Sequence, residues 1–279
     1  MRRLIAGLVG LLAFGPAALA GPRIVSMNLC ADELVLRLAD RDQVASVSFL
    51  SGDRHISNVA DLAEGLPVNH GLAEEVVTAA PDLVVAGRHT TRNTVALLRK
   101  LDFPVLELDV PASFAAVEAQ IREVAAVVGH PERGEAMIDG IRAGLDAIPR
   151  RGDRARALVL RPNGLTAGAG TLVDTLLGRA GLVNLGTSPG LEGYTGLPLE
   201  WVVTLRPDIL IVDSEPYPAP ARAADVLHHP ILGKLPFEMR VIGVPNRLWT
   251  CAGPAMVEAV AILVEARDGP AFAAADRRP

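Results

Sequence analysis

Cysteine is scarce in this sequence. Among 279 residues there are only Cys30 and Cys251, which lie 221 positions apart. Two cysteines exclude a scaffold built on several disulfides, and their separation excludes a zinc site of the C-x-x-C type. One intramolecular disulfide is the maximum that can form. The sequence leaves open whether these two side chains are bridged or are free thiols.

An excess of positive charge is also absent, and so is the high charge content of disordered chains. The chain carries 27 basic and 32 acidic residues, which gives a formal net charge of −5, and 50% of its residues are apolar. Without a basic surface the protein is not expected to bind nucleic acid. The length exceeds what a single hydrophobic core usually organises, so we expect one large domain or two lobes.

The longest apolar run is at the N-terminus. Arg2 and Arg3 precede an apolar stretch at 4–14, and small residues follow at 18–20. This order is typical of a secretory signal peptide, and the stretch is shorter than the roughly 20 apolar residues that a membrane span requires. We therefore predict that residues 1–20 are a cleaved signal peptide and that the mature protein lies in the periplasm. A permanent membrane anchor is the alternative.

In the rest of the chain, short apolar runs alternate with amphipathic stretches. The runs predict buried strands, and the stretches between them have apolar residues at helical spacing. Continuous apolar strands separated by helices are typical of parallel sheets that are covered on both faces. The predicted strands lie at 23–27, 44–47, 83–86, 105–108, 157–160, 209–212 and 241–244.

A repeated segment divides this pattern into two halves. Residues 74–85 and 200–211 share Glu, Val, Val, Thr, Pro and Asp in register, 126 positions apart. Each copy predicts a short helix, a Pro-Asp turn and a buried strand. Convergence is the alternative, because Pro-Asp is common at such junctions. The repeat favours an α/β fold of two Rossmann-like lobes with parallel sheets, joined by a single long helix.

The same pattern predicts how the chain is divided. A rigid helix between the lobes would allow only a small closure on a ligand. The expected segments are the signal peptide at 1–20, the N-terminal lobe at 21–130, the interlobe helix at 131–149, the C-terminal lobe at 150–266 and a flexible tail at 267–279.

In such a fold, ligands bind between the lobes, at loops that follow the carboxyl ends of the strands. Arginines in these loops favour a ligand with carboxylate, phosphate or catecholate oxygens, and the few aromatic residues there offer ring contacts. The alternatives are that the aromatic residues only pack at the edges of the lobes and that the arginines are ordinary surface residues without a role in binding. The candidate ligand-binding residues are Asn28, Cys30, Leu50, Arg88, His89, Arg161, Leu165, Tyr194, Tyr217, Arg247, Trp249 and Cys251.

The sequence offers little support for catalysis. Residues 186–190 have the G-x-S-x-G pattern of a nucleophile elbow, but Pro189 lacks the N–H that would stabilise an oxyanion. The histidines do not have metal-ligand spacing, so no resident metal or cofactor is expected. The remaining catalytic hypothesis is an exported enzyme with Cys30 or Cys251 as nucleophile and His89 as base.

Several motifs together carry a resemblance to a known family. They are Arg-Ile-Val-Ser at 23–26, Asp32-Glu-Leu34, Glu-x6-Pro-Asp from Glu74 and from Glu200, the linking helix, and Trp249-x-x-x-Gly253-Pro254. The sequence resembles the periplasmic binding proteins of ABC importers that carry Fe(III)-siderophores and cobalamin, the class III family with a helical backbone. The resemblance implies a monomeric, non-catalytic receptor that binds a ferric siderophore, cobalamin or haem. It would deliver this ligand to an ABC permease dimer in the inner membrane.

The resemblance also assigns a role to the two repeated glutamates. It implies that Glu74 and Glu200 dock onto arginines of the permease, and symmetric carboxylates suit a two-fold partner. Glutamate at a helix start is also favoured by the helix dipole, which is the alternative reading of both positions.

Departures from the cobalamin-binding members bear on the choice of ligand. The cleft tryptophans of those members fall on Val68 and Tyr194, and their first-lobe tyrosine falls on Leu50, so fewer rings are available to contact a corrin. An anionic ferric siderophore is therefore favoured over cobalamin. Haem would need an axial ligand, for which Tyr194, Tyr217 or His89 are available.

Overall fold

The protein is described by a computed structural model that covers residues 21–89, 91–150, 155–214, 229–234 and 237–268. The predicted signal peptide at 1–20, the candidate Tyr217 and residues 269–279 lie outside the described residues. Within the ranges that are described, no helix is both long enough and apolar enough to cross a membrane.

Strands and helices alternate through most of the described chain. The strands are β1 (Ile24–Ser26), β2 (Val44–Ser48), β3 (Val68–Asn69), β4 (Leu83–Gly87), β5 (Val105–Leu108), β6 (Arg156–Val159), β7 (Leu165–Ala167), β8 (Val183–Asn184), β9 (Tyr194–Gly196), β10 (Ile209–Val212) and β11 (Arg240–Gly243). The helices are α1 (Leu29–Leu38), α2 (Ala60–Ala63), α3 (Ala73–Ala79), α4 (Arg92–Lys100), α5 (Phe114–Val128), α6 (Pro131–Ala147), α7 (Leu172–Arg179), α8 (Leu199–Leu205), α9 (Arg247–Thr250) and α10 (Met256–Asp268).

Two parallel sheets form the centres of the two lobes. The N-terminal sheet has the strand order β3-β2-β1-β4-β5, and the C-terminal sheet has the order β8-β6-β10-β11. Every neighbouring pair in both sheets is parallel. The central strands β1, β6 and β10 are mostly apolar and are buried except at the end residues Arg156 and Val212, as expected when helices cover both faces of a sheet. The predicted α/β fold of two Rossmann-like lobes is confirmed.

Helix α6 connects the two lobes along the chain. Gly129, with φ +89°, ends α5, and Pro131 begins α6 in a position where a missing N–H is tolerated. On the N-terminal side, Arg133 Nη2 lies 2.6 Å from a carboxylate oxygen of Asp40. On the C-terminal side, Arg179 Nη2 donates to the carbonyl oxygen of Ile148 at 3.0 Å. Side chains therefore fix both ends of the connecting helix to the lobes.

The repeated segments also match in three dimensions. Helices α3 and α8 both end at a left-handed residue directly before Pro-Asp, Ala80 with φ +45° and Arg206 with φ +49°. The carboxylate of Asp82 accepts from the backbone N–H of Arg23 at 2.8 Å, and that of Asp208 accepts from Arg156 at 2.7 Å. Each lobe thus anchors its Pro-Asp turn to the start of its own first strand, a shared tertiary contact that convergence on Pro-Asp alone does not explain.

Two features of the C-terminal lobe differ from the sequence prediction. Strands β7 and β9 form a separate antiparallel pair, so Leu165 and Tyr194 lie in short strands and not in loops. Helix α10 continues to Asp268. Arg267 is buried near its end, and its Nη1 donates to the carbonyl oxygen of Ala180 at 2.7 Å. Residues 267 and 268, predicted as the start of a flexible tail, are therefore the end of α10.

Candidate ligand cleft between the lobes

A cleft of about 160 Å³ lies between the lobes. It is lined by loops and helix ends that follow the carboxyl ends of the parallel strands, where ligands bind in folds of this kind. Five of the predicted residues line this cleft together, namely Asn28, Cys30, Arg88, His89 and Tyr194. The other lining residues are Gly87, Leu108, Asp109, Val110, Pro111, Gln120, Leu172, Thr250 and Ala252.

The N-terminal wall of the cleft carries exposed charge. Arg88 follows β4, and its guanidinium lies 2.7 Å from a carboxylate oxygen of Asp109, with both side chains more than half exposed. A solvent-exposed ion pair of this kind contributes about 0–1 kcal/mol, so Arg88 can exchange its partner at little cost. His89 is exposed beside it, with Nδ1 3.4 Å from Arg92 Nη2.

A buried guanidinium lies behind Tyr194 on the C-terminal side of the cleft. It does not line the cleft itself but borders a separate small pocket together with Asp213 and Trp249. Arg161 follows β6, and its Cζ lies 5.3 Å from the ring centre of Tyr194 and 5.7 Å from that of Trp249. Its Nε and Nη2 are buried and make no hydrogen bond to the described part of the chain. Burial lowers the pKa of this guanidinium, and Tyr194 and Asp213 oppose that shift. Arginine stays protonated in proteins, so two N–H-bearing nitrogens of this cation have no hydrogen-bond acceptor in the described part of the chain.

The two rings that contact Arg161 differ in exposure. Tyr194 is 44% exposed and lines the cleft, whereas Trp249 is 2% exposed. Burial raises the pKa of the Tyr194 phenol and Arg161 lowers it, so the hydroxyl is protonated at neutral pH and can donate a hydrogen bond. Trp249 was predicted in a ligand-facing loop, but it lies in α9. Its ring is part of the hydrophobic core and packs against Arg161, so it does not face the cleft.

Cys30 and Cys251 form a disulfide, with their Cα atoms 5.0 Å apart. Cys30 lies in the first turn of α1, and Cys251 follows α9, so the bond joins the N-terminal lobe to the C-terminal lobe. Cys30 lines the cleft, and Cys251 is 5% exposed. The question left open by the sequence is answered, and neither sulfur is a free thiol that could act as a nucleophile.

Six of the predicted residues that the structure describes do not line this cleft: Arg161, Trp249 and Cys251, discussed above, and Leu50, Leu165 and Arg247. Leu50 is half-buried in a 3-10 turn (Phe49–Gly52), and Leu165 is exposed at the start of β7. Arg247 begins α9, and its Nη1 donates to Asn58 Oδ1 of the N-terminal lobe at 3.1 Å. Arg247 also lines a second, open groove of about 510 Å³ together with Arg54, His55, Ser57, Asn58, Ala60 and Asp61.

Sequence reasoning missed several residues that line the cleft. Asp109, Val110 and Pro111 directly follow β5, so the carboxyl-end rule could have found them. Leu172 begins α7 after the N-cap Thr171, a position that capping analysis could have identified. Gln120 reaches the cleft from the middle of α5, and no local pattern distinguishes it from the other polar residues of that helix.

Glu74 and Glu200 occupy equivalent positions. Each is the second residue of a seven-residue helix, and each is exposed. Their backbone carbonyls also match, because each accepts from a threonine hydroxyl one turn later, Thr78 at 2.7 Å and Thr204 at 2.9 Å. Neither carboxylate has an ion-pair or hydrogen-bond partner among the residues whose structure is described. The assigned docking role remains a prediction.

The described ranges contain no cluster of three or more His, Cys, Asp or Glu side chains that could hold a metal ion. Neither the cleft nor the second groove therefore offers a ready set of protein ligands for a bare cation.

Comparisons with known proteins bear on the family. The sequence profile of the family described as "Periplasmic binding protein" matches residues 24–245. A comparison with curated protein sequences finds no match.

Solved structures of similar fold cover nearly all of the described chain. The periplasmic haem-binding protein RhuT of Roseiflexus sp. RS-1 is 23% identical, with a TM-score of 0.69 over 88% of this chain and 99% of that one. The haem-binding protein HutB of Vibrio cholerae is 18% identical, with a TM-score of 0.70 over 88% and 99%. The vitamin B12-binding protein BtuF of Vibrio cholerae is 18% identical, with a TM-score of 0.64 over 90% and 99%. With a family match over most of its length, this chain belongs to the periplasmic binding proteins of ABC importers.

Proposed function

We propose that this protein is a periplasmic receptor that binds an iron chelate of the ferric siderophore type and delivers it to an inner-membrane ABC permease. A cleaved signal peptide at 1–20 would direct its export. The family supports a binding role, and proteins of similar fold bind haem, vitamin B12 or iron. The choice of an anionic chelate depends on the charges of the cleft.

The observation that carries the proposal is the buried guanidinium of Arg161. A buried donor without an acceptor costs about 1–3 kcal/mol, and more when it is charged, unless a partner arrives. Tyr194 and Trp249 orient this cation without accepting its hydrogen bonds. A carboxylate, hydroxamate or catecholate oxygen of a bound chelate would supply the acceptor and form a charge-assisted hydrogen bond.

The opposite wall supports the same class of ligand. Arg88 is exposed and can turn from Asp109 to an anionic oxygen, because its present ion pair is weak in water. An anionic chelate would then contact one arginine of each lobe. Binding would need no covalent chemistry, which agrees with a family of binding proteins and with the bridged state of both cysteines.

Delivery would use the two repeated glutamates. Glu74 and Glu200 are exposed on equivalent short helices, so a permease built from two like subunits could contact both in the same way. Neither glutamate lines the cleft, so the docking surface and the ligand contacts use different residues. Affinity and delivery would therefore be separable by mutation.

Haem is a second candidate, and a specific observation favours it. His89 of the N-terminal lobe and Tyr194 of the C-terminal lobe line the same cleft. Histidine and tyrosine are both axial ligands of haem iron in proteins. Cobalamin has less support, since Val68 and Leu50 stand where the resemblance places aromatic rings.

The experiment begins with protein purified from a host that exports it, followed by extraction and analysis of bound iron and cobalt. Apo-protein carrying Trp201→Phe is then titrated with a ferric tricatecholate, haemin and cyanocobalamin while the fluorescence of Trp249 is recorded. Trp249 is a suitable reporter because it packs against Arg161. We expect saturable binding of the ferric tricatecholate.

Binding of haemin with a Soret band that shifts in His89→Ala or Tyr194→Phe would favour the haem receptor instead. Tight binding of cyanocobalamin alone would show that the loss of rings at positions 50 and 68 does not exclude a corrin. Failure of all three probes would contradict the proposal of a metal-chelate receptor.

A further inference from the structure

The lobes have two covalent connections, and they differ in kind. Helix α6 is permanent, whereas the Cys30–Cys251 disulfide can be opened by reduction. The disulfide lies at the cleft, because Cys30 and the neighbouring residues Thr250 and Ala252 all line it. The state of this bond therefore bears directly on how far apart the two walls can move.

Other interlobe contacts surround the disulfide. Asn58 Nδ2 donates to the carbonyl oxygen of Arg247 at 2.8 Å, and Arg247 Nη1 donates back to Asn58 Oδ1 at 3.1 Å. Gly253 packs so closely on Glu33 that an added Cβ would lie 3.0 Å from the carboxylate oxygen. These contacts are noncovalent and can break and form again, so the disulfide is the bond that holds this junction closed while it is oxidised.

We propose that the Cys30–Cys251 disulfide is a redox-controlled clamp of the ligand cleft. In the oxidised protein the clamp and α6 together restrict the separation of the lobes. In the reduced protein only α6 and the noncovalent contacts remain, so the lobes sample wider openings. An oxidised cleft is preorganised for its ligand and a reduced cleft is not, which makes ligand dissociation faster after reduction.

The reductant is a dithiol protein of the thiol–disulfide exchange class. Its thiolate attacks Cys30 Sγ, the sulfur on the cleft side, and the Cys30–Cys251 bond breaks with Cys251 leaving as thiolate. The second thiol of the reductant then attacks the mixed disulfide, which leaves the reductant oxidised to a disulfide. Two electrons and two protons end on Cys30 and Cys251.

Ligand binding and reduction should be coupled, and this step rests on the proposed function. A chelate in the cleft covers Cys30 and slows the attack on its sulfur. By thermodynamic linkage, if reduction weakens chelate affinity by some factor, the bound chelate stabilises the disulfide by the same factor. We expect a factor of about ten.

The clamp is tested first without any ligand. Gadolinium(III) spin labels are attached at positions 74 and 200 through a ketone-bearing noncanonical residue, which avoids thiol chemistry, and the distance distribution is measured by pulsed electron–electron resonance. We expect a narrow distribution in the oxidised protein and a broader, longer one after treatment with dithiothreitol. Identical distributions would overturn the proposal.

The Cys30→Ser/Cys251→Ser variant supplies the matched control. It should show the broad distribution with or without dithiothreitol, which excludes an effect of the reductant itself. Circular dichroism of the reduced wild-type protein checks that both lobes remain folded. If the reduced protein and the variant both unfold, the disulfide is a structural requirement and the clamp is refuted.

The coupling is tested by the rate of reduction. Thiols that appear during dithiothreitol treatment are trapped with a maleimide mass tag, in the absence and presence of a saturating ferric tricatecholate. We expect reduction to be slower with the chelate bound, because the chelate covers Cys30. A chelate that binds without slowing reduction refutes the coupling. A chelate that does not bind contradicts the proposed function, and the label distances then decide about the clamp alone.

Discussion

Each lobe places an arginine directly after a strand of its parallel sheet, but one arginine is exposed and the other is buried. Arg88, after β4, is exposed and paired with Asp109. Arg161, after β6, is held between Tyr194 and Trp249 with buried nitrogens that make no hydrogen bond to the described residues. The Arg88 side chain can therefore change its position in the cleft, whereas the Arg161 side chain is held in place behind Tyr194. The fixed arginine defines where a ligand oxygen must be, and the adjustable one tolerates variation.

The two lobes agree where they are remote from the cleft. The turns of Asp82 and Asp208 are anchored in the same way, to Arg23 and Arg156. The lobes differ where loops leave the strands towards the ligand, since only the C-terminal lobe has the β7–β9 pair. The comparison separates a repeated framework, which carries Glu74 and Glu200, from a cleft whose two sides differ.

The largest effect, on ligand uptake, is expected from replacing Glu74 and Glu200, the two exposed glutamates of the repeated segments. We expect Glu74→Gln/Glu200→Gln to reduce uptake of radiolabelled iron chelate by well over tenfold in cells that contain the matching permease. Affinity measured by Trp249 fluorescence should not change, because neither side chain lines the cleft. The double variant Glu123→Gln/Glu258→Gln, which changes exposed glutamates on α5 and α10, is the control. Weakened affinity in the first variant would show that the docking assignment is wrong.

The interlobe disulfide should dominate stability. Cys30→Ser/Cys251→Ser is expected to lower the free energy of unfolding by about 2–5 kcal/mol, because the bond closes a long loop in the unfolded chain. Urea unfolding of the oxidised wild-type protein and of the variant measures this difference. Equal stabilities would mean that the bond constrains neither the unfolded chain nor the assembly of the lobes.

The comparison of Arg88 with Arg161 can be tested by replacing each arginine with methionine. Arg161→Met is expected to weaken binding of a ferric tricatecholate about tenfold to a hundredfold, because a hydrogen bond to a charged group contributes about 1.5–3 kcal/mol. Its free energy of unfolding should stay within about 1 kcal/mol of wild type, since relief of the buried charge and loss of the ring contacts oppose each other.

Arg88→Met is the matched variant on the other wall. We expect it to weaken binding only a few-fold, because Arg88 is exposed and its interactions are screened by water. An equal loss in both variants would remove the distinction between a fixed and an adjustable arginine. A larger loss for Arg88→Met would reverse it.

The smallest effect concerns a buried carboxyl of the N-terminal lobe. Asp32 is fully buried in α1 and accepts from the hydroxyls of Ser48 at 2.5 Å and Ser51 at 2.6 Å. Burial raises its pKa above the ordinary value of 3.8, and these hydrogen bonds partly oppose the shift. The folded protein therefore binds this proton at pH values where the unfolded chain has lost it. Its contribution to stability falls as pH rises above about 4, up to the raised pKa.

Urea unfolding at a series of pH values tests this sign. Asp32→Asn should have a shallower decline of stability with rising pH than wild type in that window. Ser51→Ala removes a hydrogen bond that favours the charged form, so its decline should extend to higher pH. The same pH dependence in all three proteins would contradict the assignment to Asp32.

The framework could be predicted from the sequence because its signals are local. Buried strands such as β4 and β10 are uninterrupted apolar runs, and the repeated Pro-Asp turns mark their starts. Strands β7 and β9 were missed because each has three residues and the pair is stabilised by contacts that no short window contains. Cys30 was expected in a loop, but the N-cap Asn28, which accepts from the N–H of Ala31 at 2.7 Å, starts α1 earlier.

The cleft was only partly predictable for a related reason. The rule that ligands bind at strand ends found Asn28, Arg88 and His89, which line one cleft. It could not distinguish Trp249, which is buried, or Arg247, which contacts Asn58, because burial and partners depend on how the lobes meet. The pairing of two cysteines 221 positions apart is a property of the assembled lobes and not of either sequence neighbourhood.

The separation of 221 residues between the two cysteines has a consequence for biosynthesis of the protein. When a chain is threaded through a membrane from its N-terminus, Cys30 arrives outside long before Cys251, and no third cysteine exists to capture it in a wrong bond. The two sulfurs meet only after the last strand of the C-terminal sheet has arrived and the halves have come together. A formed bond therefore reports that the chain as far as Cys251 has arrived and that the two lobes have met, and a non-reducing gel can detect it without any ligand.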